Sequence, residues 1–114
     1  STLEDHIAPW RTTFTSVKLF SGPIEFVLGA SGHIAGVINP PAKKKRNYWI
    51  NGQLTQDADH WFNTAQSQPG SWWPHWQNWL KSQGGAAVPA PKTLGHADYP
   101  ILEPAPGSYV KKRI

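Results

Sequence analysis

The 114-residue chain contains no cysteine. This absence excludes a disulfide framework and any zinc site built from cysteine ligands. Long apolar runs are missing too, since no stretch approaches the ~20 residues that a transmembrane helix needs. The first residues also lack the basic-then-apolar pattern of a signal peptide. We therefore expect a cytoplasmic protein that is soluble or attached to a larger body by its surface.

Aliphatic side chains are few, and seven tryptophans carry much of the apolar mass. So many indole rings in one short domain must be buried against something. The net charge of +4 is local, because seven of the 11 basic residues lie in two runs, Lys43–Arg46 and Lys111–Arg113. A nucleic-acid surface would spread basic and aromatic residues along one face. We expect no nucleic-acid partner and interpret the runs as a solvated loop and a solvated tail.

The first third of the chain predicts a helix followed by a strand. Residues Pro9–Phe20 have helical periodicity, because Trp10, Phe14 and Val17 fall on one face at i, i+4 and i+7. The short apolar run Ile24–Leu28 then lies between glycines and a proline. Such a run is typical of a strand that is buried on both faces, as in a parallel sheet.

Two further helices are predicted downstream. One spans Asp57–Gln66, with Trp61 and Phe62 facing inward, and the other spans Trp72–Ser82 with Ser71 as its N-cap. The second helix has an apolar stripe at helical spacing. The stripe consists of Trp72, Trp73, Trp76, Trp79 and Leu80. We predict that it packs into the core, and the alternative is a platform for a carbohydrate or a cofactor.

Two segments show little periodicity. Lys43–Gly52 is predicted to be irregular, with Tyr48 and Trp49 as anchors. Ala86–Ile114 holds five of the 11 prolines, and we expect either an extended strap or disorder there. The chain is therefore divided into a folded part, residues 1–85, and a proline-rich tail, residues 86–114.

Asp5 and His33 are the candidate chemical groups. His33 follows the predicted strand through a small-residue loop, and reactive groups gather at the carboxyl ends of strands in open α/β sheets. If another strand ends near Ser1–Leu3, Asp5 lies at the same edge. A carboxylate that orients a histidine base would explain the pair, and the order of acid before histidine is that of α/β-hydrolases. A purely structural role is the alternative, and His6 competes with His33 as the functional imidazole.

Four stretches carry a resemblance to a known family: "EDHIAPW", "FVLGASGHIAGVINPPAKKKRNYW", "GSWWPHWQNWL" and "EPAPGSYV". Together they resemble the C-terminal part of class I polyhydroxyalkanoate synthases, the bacterial poly(3-hydroxybutyrate) polymerases. The resemblance runs from Glu4 to about Val110. "SGHIAGVINPP" and "APGSYV" are specific to this family, and Ala35-Gly36-Val37 followed by the lysine-rich stretch favours its short-chain class.

The resemblance implies an α/β fold, here a C-terminal fragment of an α/β-hydrolase domain with one or two strands plus helices. The family has a Cys, Asp, His triad, in which Asp5 and His33 match the second and third members. His33 would deprotonate the thiol, whose thiolate attacks the thioester of (R)-3-hydroxyacyl-coenzyme A. Acyl transfer then builds a polyester and releases coenzyme A. Whether Asp5 also activates the 3-hydroxyl group is left open.

The chain departs from the family in one respect, since it contains no "Gly-x-Cys-x-Gly" elbow. Ser31 in "GASG" is not such an elbow, because no helix follows it directly and His33 is too close. The chain is therefore interpreted as the last third or less of a synthase, inactive alone. Two alternatives stay open: a tryptophan-rich module that binds a granule, a sugar or a partner, and a fragment of a lipase or depolymerase.

The resemblance also implies the partners. They are the acyl-coenzyme A substrate, the growing polyester, the missing N-terminal part, a second copy of the intact enzyme and the surface of the polymer granule in the cytoplasm. We expect no metal and no cofactor, because coenzyme A is part of the substrate and then a product. Lys43, Lys44, Lys45 and Arg46 are weak candidates for contacting its phosphates.

Overall fold

The computed structural model describes residues 1–55 and 57–113. The chain divides into two compact units, Ser1–Gly84 and Gly85–Ile114. Among the described residues, the first unit holds three α-helices and a small sheet. The expected α/β fold is therefore confirmed, although the sheet has three short strands rather than the one or two that were expected. Its assignment to the α/β-hydrolases stays a prediction.

The first unit alternates short helices and short strands. In chain order these are α1 (Trp10–Phe14), β1 (Leu28–Gly29), β2 (Asn47–Ile50), α2 (Ala58–Thr64), β3 (Gln66–Pro69) and α3 (Trp73–Gly84), with 3₁₀ turns at Thr15–Lys18 and Pro41–Lys43. The strands form one antiparallel sheet in the order β1-β2-β3. Strand β2 is central, with Trp49 opposite Leu28 on one side and opposite Ser67 on the other.

The strand predictions need correction. Strand β1 covers only Leu28–Gly29 of the described chain, and its ladder partner β2 is antiparallel rather than parallel. The parallel pairing is a single bridge between Thr2 and Gly29. The prediction that Lys43–Gly52 is irregular is wrong, because Asn47–Ile50 forms β2. Its aromatic and branched side chains suit a half-buried pleated surface.

The helix predictions hold better. Helix α2 is confirmed, with the Asp57 side chain accepting the N–H of His60 at 2.8 Å as an N-cap. The predicted cap of α3 is also confirmed, since Ser71 Oγ accepts the N–H of Trp73 at 3.1 Å. Helix α1 is shorter than predicted and continues as a 3₁₀ turn to Lys18. Threonine hydroxyls there bond to backbone carbonyls, including Thr15 Oγ1 to Thr12 O at 2.7 Å, and so compete with the regular helix.

The core lies between α1, β1 and α2. Its buried side chains are Trp10, Phe14, Leu28, Ala58 and Trp61. The Trp61 ring is 1% exposed and stands edge-on to Phe26, with ring centroids 4.9 Å apart. Gly52 packs so closely on Trp61 that a Cβ atom there would overlap the Trp61 carbonyl and ring. The absence of a side chain at Gly52 thus lets α2 approach the sheet.

Helix α3 differs from the prediction of core packing. None of its residues is buried, and Trp76 and Trp79 are 44% and 40% exposed. These two rings stack on each other, with centroids 5.0 Å apart and planes 10° apart. A mostly apolar cavity of about 570 Å³ lies between α3 and the segment that precedes β1. The core prediction for the stripe is therefore wrong for the described part of the chain.

Polar contacts at its N-terminal end attach α3 to the rest of the unit. The indole N–H groups of Trp72 and Trp73 both donate to the Val37 carbonyl, at 3.1 and 2.9 Å. Two residues further, His75 Nε2 lies 2.5 Å from Glu25 Oε1. Residues 72–75, at the start of α3, therefore carry the attachment, while Trp76 and Trp79 remain partly exposed.

The second unit, considered over residues 85–113, consists of turns and one 3₁₀ turn at Tyr109–Lys111. The Glu103 carboxylate organises one turn by accepting the N–H and the hydroxyl of Ser108, at 2.8 and 2.9 Å. These bonds, the backbone N–H first, lower the pKa of Glu103. None of the helices in the described part of the chain has the length and apolar character that crossing a bilayer requires.

Candidate active site

The Asp5 carboxylate lies in a tight turn between the Thr2–Gly29 bridge and helix α1. Its Oδ1 accepts the backbone N–H groups of Ile7 and Ala8, each at 2.9 Å. The Asp5 N–H donates in turn to the Thr2 carbonyl at 3.3 Å. Short acidic side chains commonly stabilise turns in this way. The turn therefore fixes the carboxylate, whose side chain is only 7% exposed.

His33 lies in the loop that follows β1. Ser31 adopts φ 79°, in the left-handed region that a non-glycine residue seldom occupies, and so turns the chain sharply. The Ser31 carbonyl accepts the N–H of Glu4 at 3.1 Å, and the Gly32 carbonyl accepts that of Gly36 at 2.9 Å. These two bonds hold the loop in shape and against the turn that carries the carboxylate.

The structure brings the two predicted residues together. His33 Nδ1 lies 2.8 Å from Asp5 Oδ2. Because an ionised carboxylate can only accept, Nδ1 carries the proton and donates it to this bond. The Nε2 atom of the neutral ring then presents a lone pair, and the side chain is 47% exposed. This arrangement suits a proton acceptor with an orienting carboxylate.

Hydrogen bonds determine the charge of Asp5. The N–H of Ala8 contributes most, followed by the His33 side chain and the N–H of Ile7, and together they lower the pKa of Asp5 to about 2. Partial burial acts in the opposite direction but is outweighed. Asp5 is therefore ionised at neutral pH and stabilises a protonated imidazole beside it.

The competing imidazole, His6, lies one residue beyond Asp5 and is exposed. Within the described residues, its ring forms no hydrogen bond to Asp5, whose Oδ2 instead contacts His33. Of the two histidines, only His33 has an orienting carboxylate in this part of the chain.

The basic run Lys43–Arg46 is exposed, and two of its residues have left-handed backbone conformations, with φ 47° at Lys44 and 66° at Arg46. Lys44 borders a shallow depression of about 420 Å³, which neither Asp5 nor His33 lines. The structure thus does not place this run and the Asp5–His33 pair in that same depression.

Within residues 1–55 and 57–113, no group of three or more His, Cys, Asp or Glu side chains is arranged to hold a metal ion. The expectation that no metal or cofactor takes part stays a prediction. A pair of this kind can provide an imidazole that accepts a proton and a carboxylate that orients it. The sequence contains no cysteine, so it offers no thiol beside the pair.

Sequence reasoning missed two features near these elements. Glu25 and His75 form a second histidine–carboxylate contact across 50 positions of sequence. No local pattern could have paired residues that far apart. Thr2, 2% exposed, lies beside Asp5, and its hydroxyl donates to Asp5 Oδ2 at 3.5 Å. The sequence could have indicated this contact, because Thr2 stands only three residues before Asp5.

The chain was compared with protein-family models and with curated proteins. No protein-family model matches the chain. Among curated proteins, it is 52% identical over 110 residues to the poly(3-hydroxyalkanoate) polymerase subunit PhaC of Cupriavidus necator, covering 96% of the chain and 19% of that protein. It is 47% identical over 113 residues to the Rhizobium etli protein of the same name, covering 99% of the chain and 18% of that protein.

A third relative is poly(3-hydroxyalkanoate) polymerase 2 of Ectopseudomonas oleovorans, which is 43% identical over 109 residues. That match covers 96% of the chain and 20% of the relative. The chain thus spans about a fifth of the length of the curated relatives that it matches, and almost all of its own residues take part in the similarity.

Proposed function

Because the chain is homologous over nearly its whole length to poly(3-hydroxyalkanoate) polymerases, we propose that it is the C-terminal part of a polyhydroxyalkanoate synthase. In this proposal it supplies two members of a catalytic triad, with His33 as general base and Asp5 as its orienting carboxylate. The intact enzyme is an acyltransferase that converts (R)-3-hydroxyacyl-coenzyme A into polyester and releases coenzyme A.

The observation that carries the proposal is the 2.8 Å contact between Asp5 Oδ2 and His33 Nδ1. It fixes the tautomer in which Nε2 is the free acceptor, and the carboxylate is itself held by two backbone N–H groups. A base held in one tautomer and one orientation is what deprotonation of a nucleophile requires.

The proposed chemistry has two transfers. His33 Nε2 takes the proton of a cysteine thiol supplied by the rest of the synthase, and the thiolate attacks the thioester carbonyl carbon. The bond from that carbon to the coenzyme A sulfur breaks, and the departing thiolate takes a proton from His33. The 3-hydroxyl group of a second unit then gives its proton to His33 Nε2 while its oxygen attacks the carbonyl carbon of an enzyme-bound thioester. The bond from that carbon to the enzyme sulfur breaks, which forms the ester bond and regenerates the enzyme thiolate.

The same proposal includes the finer expectations from sequence. Residues 1–85 would form the C-terminal portion of an α/β-hydrolase domain, and residues 86–114 would form its tail. The intact enzyme would work in the cytoplasm at the surface of polymer granules, as a homo-oligomer. The short-chain class remains the proposed one, and Lys43–Arg46 remain candidate contacts for the phosphates of coenzyme A, supported by their charge and exposure.

The alternatives are less well supported. The relatives are named as polymerases, not as binding modules, lipases or depolymerases. The partly exposed tryptophans of α3 are compatible with a binding surface, but the described residues do not identify a ligand for it.

A full-length synthase that contains this sequence allows a direct test. Release of coenzyme A from (R)-3-hydroxybutyryl-coenzyme A is measured for His33→Ala and, as the matched control, for His6→Ala. Loss of a general base lowers kcat by about 10²–10⁴-fold, whereas loss of the exposed His6 ring should leave it within about twofold of wild type, as expected for a surface change. Equal losses in two folded variants would overturn the assignment of His33.

A further inference from the structure

Thr2 is a buried polar residue without a role in the proposed chemistry. Its backbone forms the parallel bridge to Gly29, and the residue is 2% exposed. The Thr2 methyl group lies beside Gly29, where a Cβ atom would be 3.5 Å away, and beside Gly36, where a Cβ atom would overlap it. Two glycines therefore form a slot that fits the threonine methyl group.

The hydroxyl group of Thr2 points to the Asp5 carboxylate. It donates to Oδ2 at 3.5 Å, and Oδ2 is also the oxygen that accepts from His33 Nδ1. The other oxygen, Oδ1, is occupied by the N–H groups of Ile7 and Ala8. Among the described side chains, Thr2 is thus the one, besides His33, that donates a hydrogen bond to the oxygen on which the imidazole depends.

Gly36 lies in the loop that carries His33 and contacts Thr2 from that loop. It lies three residues after His33, is buried, and donates its N–H to the Gly32 carbonyl at 2.9 Å. A Cβ atom on Gly36 would meet the Ala30 carbonyl at 2.8 Å as well as overlapping Thr2. The loop that carries the imidazole therefore rests directly on Thr2.

We propose that Thr2 and Gly36 are positioning residues that set the orientation of the Asp5 carboxylate against the His33 ring. Thr2 contacts the carboxylate and the histidine loop at once, so it fixes the spacing between them. This inference rests on the proposed function of the pair. Neither residue touches the reacting atoms, and both act through Asp5 and His33.

The test uses the full-length synthase with Thr2→Val and Thr2→Ser. Valine keeps the branched shape in the glycine slot and removes the hydroxyl, while serine keeps the hydroxyl and removes the methyl group. We expect Thr2→Val to lower kcat by about three- to tenfold, because the 3.5 Å contact is longer than an ordinary hydrogen bond to a charged group. KM should stay unchanged, because the lost interaction serves the transition state rather than substrate binding. Serine should recover most of the lost kcat.

Thr64→Val is the matched control. The Thr64 hydroxyl bonds to the Gln53 N–H and the carbonyls of His60 and Trp61, away from the pair. Its removal should lower the melting temperature without changing kcat. Gly36→Ala should cost about 10²-fold in kcat, as expected when a catalytic group is displaced by about 1 Å. Near-ultraviolet circular dichroism of the tryptophans verifies folding, and if Gly36→Ala does not fold, the two Thr2 variants decide.

The outcomes separate the two proposals. Wild-type kcat in Thr2→Val, or a Thr2→Ser variant as slow as Thr2→Val, would overturn the positioning role. Asp5→Asn is measured in parallel, and wild-type kcat in that variant would overturn the proposed function itself. A slow Asp5→Asn with a fast Thr2→Val would overturn only the positioning role.

Discussion

Two histidine–carboxylate pairs in the first unit have similar separations and opposite orientations. In the Asp5–His33 pair, the carboxylate contacts Nδ1 at 2.8 Å, and in the Glu25–His75 pair it contacts Nε2 at 2.5 Å. The shorter contact belongs to the pair for which the structure suggests no chemistry. A short distance between a histidine and a carboxylate is therefore not enough to indicate a catalytic base.

The difference lies in what holds each carboxylate. Asp5 accepts two backbone N–H groups and one hydroxyl besides the imidazole. Glu25 has His75 as its side-chain partner among the described residues and projects from an irregular segment towards α3. Asp5 is held independently of its histidine, which is what an orienting group needs. The Glu25–His75 contact instead tethers a helix.

The largest expected effect is the complete absence of activity in the chain alone. Neither pair has a cysteine beside it, because the sequence contains none. A base without a nucleophile cannot begin covalent catalysis. We expect purified chain to release no coenzyme A from 3-hydroxybutyryl-coenzyme A above the buffer rate. Clear turnover that is lost in His33→Ala would show that the pair works through a nucleophile other than cysteine.

The next largest effect should separate the two carboxylates in the full-length synthase. In Asp5→Asn, the amide oxygen can still accept from Ile7 and Ala8, so the amide N–H₂ group faces His33 Nδ1. The ring must then accept at Nδ1 and carry its proton on Nε2, which is the wrong tautomer for a base. Such a change costs about 10⁴-fold in the serine-protease triad, and we expect a loss of kcat of about 10²–10⁴-fold.

Glu25→Gln is the matched control for that substitution. It also replaces a carboxylate that contacts an imidazole, and it should leave kcat within about twofold of wild type, as for most changes away from a site. A loss as large as that in Asp5→Asn would break the distinction between an orienting pair and a tethering pair.

Acid titration should distinguish Asp5 from an ordinary carboxyl group. Its pKa is lowered from 3.8 to about 2 in the folded chain. A folded-state pKa below the unfolded value means that the stabilisation is present above pH ~4 and is lost as pH falls towards ~2. The carbon-13 resonance of the Asp5 carboxyl group, followed by NMR, should therefore titrate near pH 2. A midpoint close to 3.8 would contradict the role of the Ile7 and Ala8 N–H groups.

The smallest expected effect concerns the tether. His75→Ala removes one of the contacts that attach α3, and because the pair is partly exposed we expect a loss of no more than about 1 kcal/mol in unfolding free energy. Amide hydrogen exchange should accelerate in α3 while α2 stays protected. Asn78→Ala, an exposed change on the same helix, is the control. Unchanged exchange in His75→Ala would mean that the indole bonds to Val37 suffice.

The sequence allowed Asp5 and His33 to be singled out because each lies in a recognisable local pattern, although the two are 28 positions apart. A small-residue loop after an apolar run carries His33, and an acidic residue precedes a helix that begins after a proline. The structure shows that the two lie together, although the strand that was expected to place His33 is reduced to Leu28–Gly29. The bridge from Thr2 to Gly29 provides the alignment instead.

The strands were harder to predict, because sheet pairing depends on distant partners. Strand β3 has the sequence Gln66–Pro69, which is polar and has no apolar alternation. It forms because its backbone groups bond to β2. The four residues of β2 gave too short a pattern to outweigh the glycine and lysines around them.

The tryptophan stripe shows a different limit. Helical periodicity correctly indicated both α2 and α3, but it does not say what covers an apolar face. In α2, Trp61 meets Phe26 and Trp10 and is buried. In α3, Trp76 and Trp79 stack on each other and remain partly exposed. Tryptophan on a periodic helix is therefore buried in one case and partly exposed in the other.

The close approach of Gly52 to Trp61 has a consequence for how this sequence can vary. Every side chain larger than hydrogen at position 52 would overlap the backbone carbonyl of Trp61 as well as its indole ring, so a smaller side chain at position 61 would not make room for one. Position 52 is therefore restricted to glycine by the backbone of α2, whichever side chain position 61 carries. A library that randomises position 52 while Trp61 is kept should return glycine alone among its folded members.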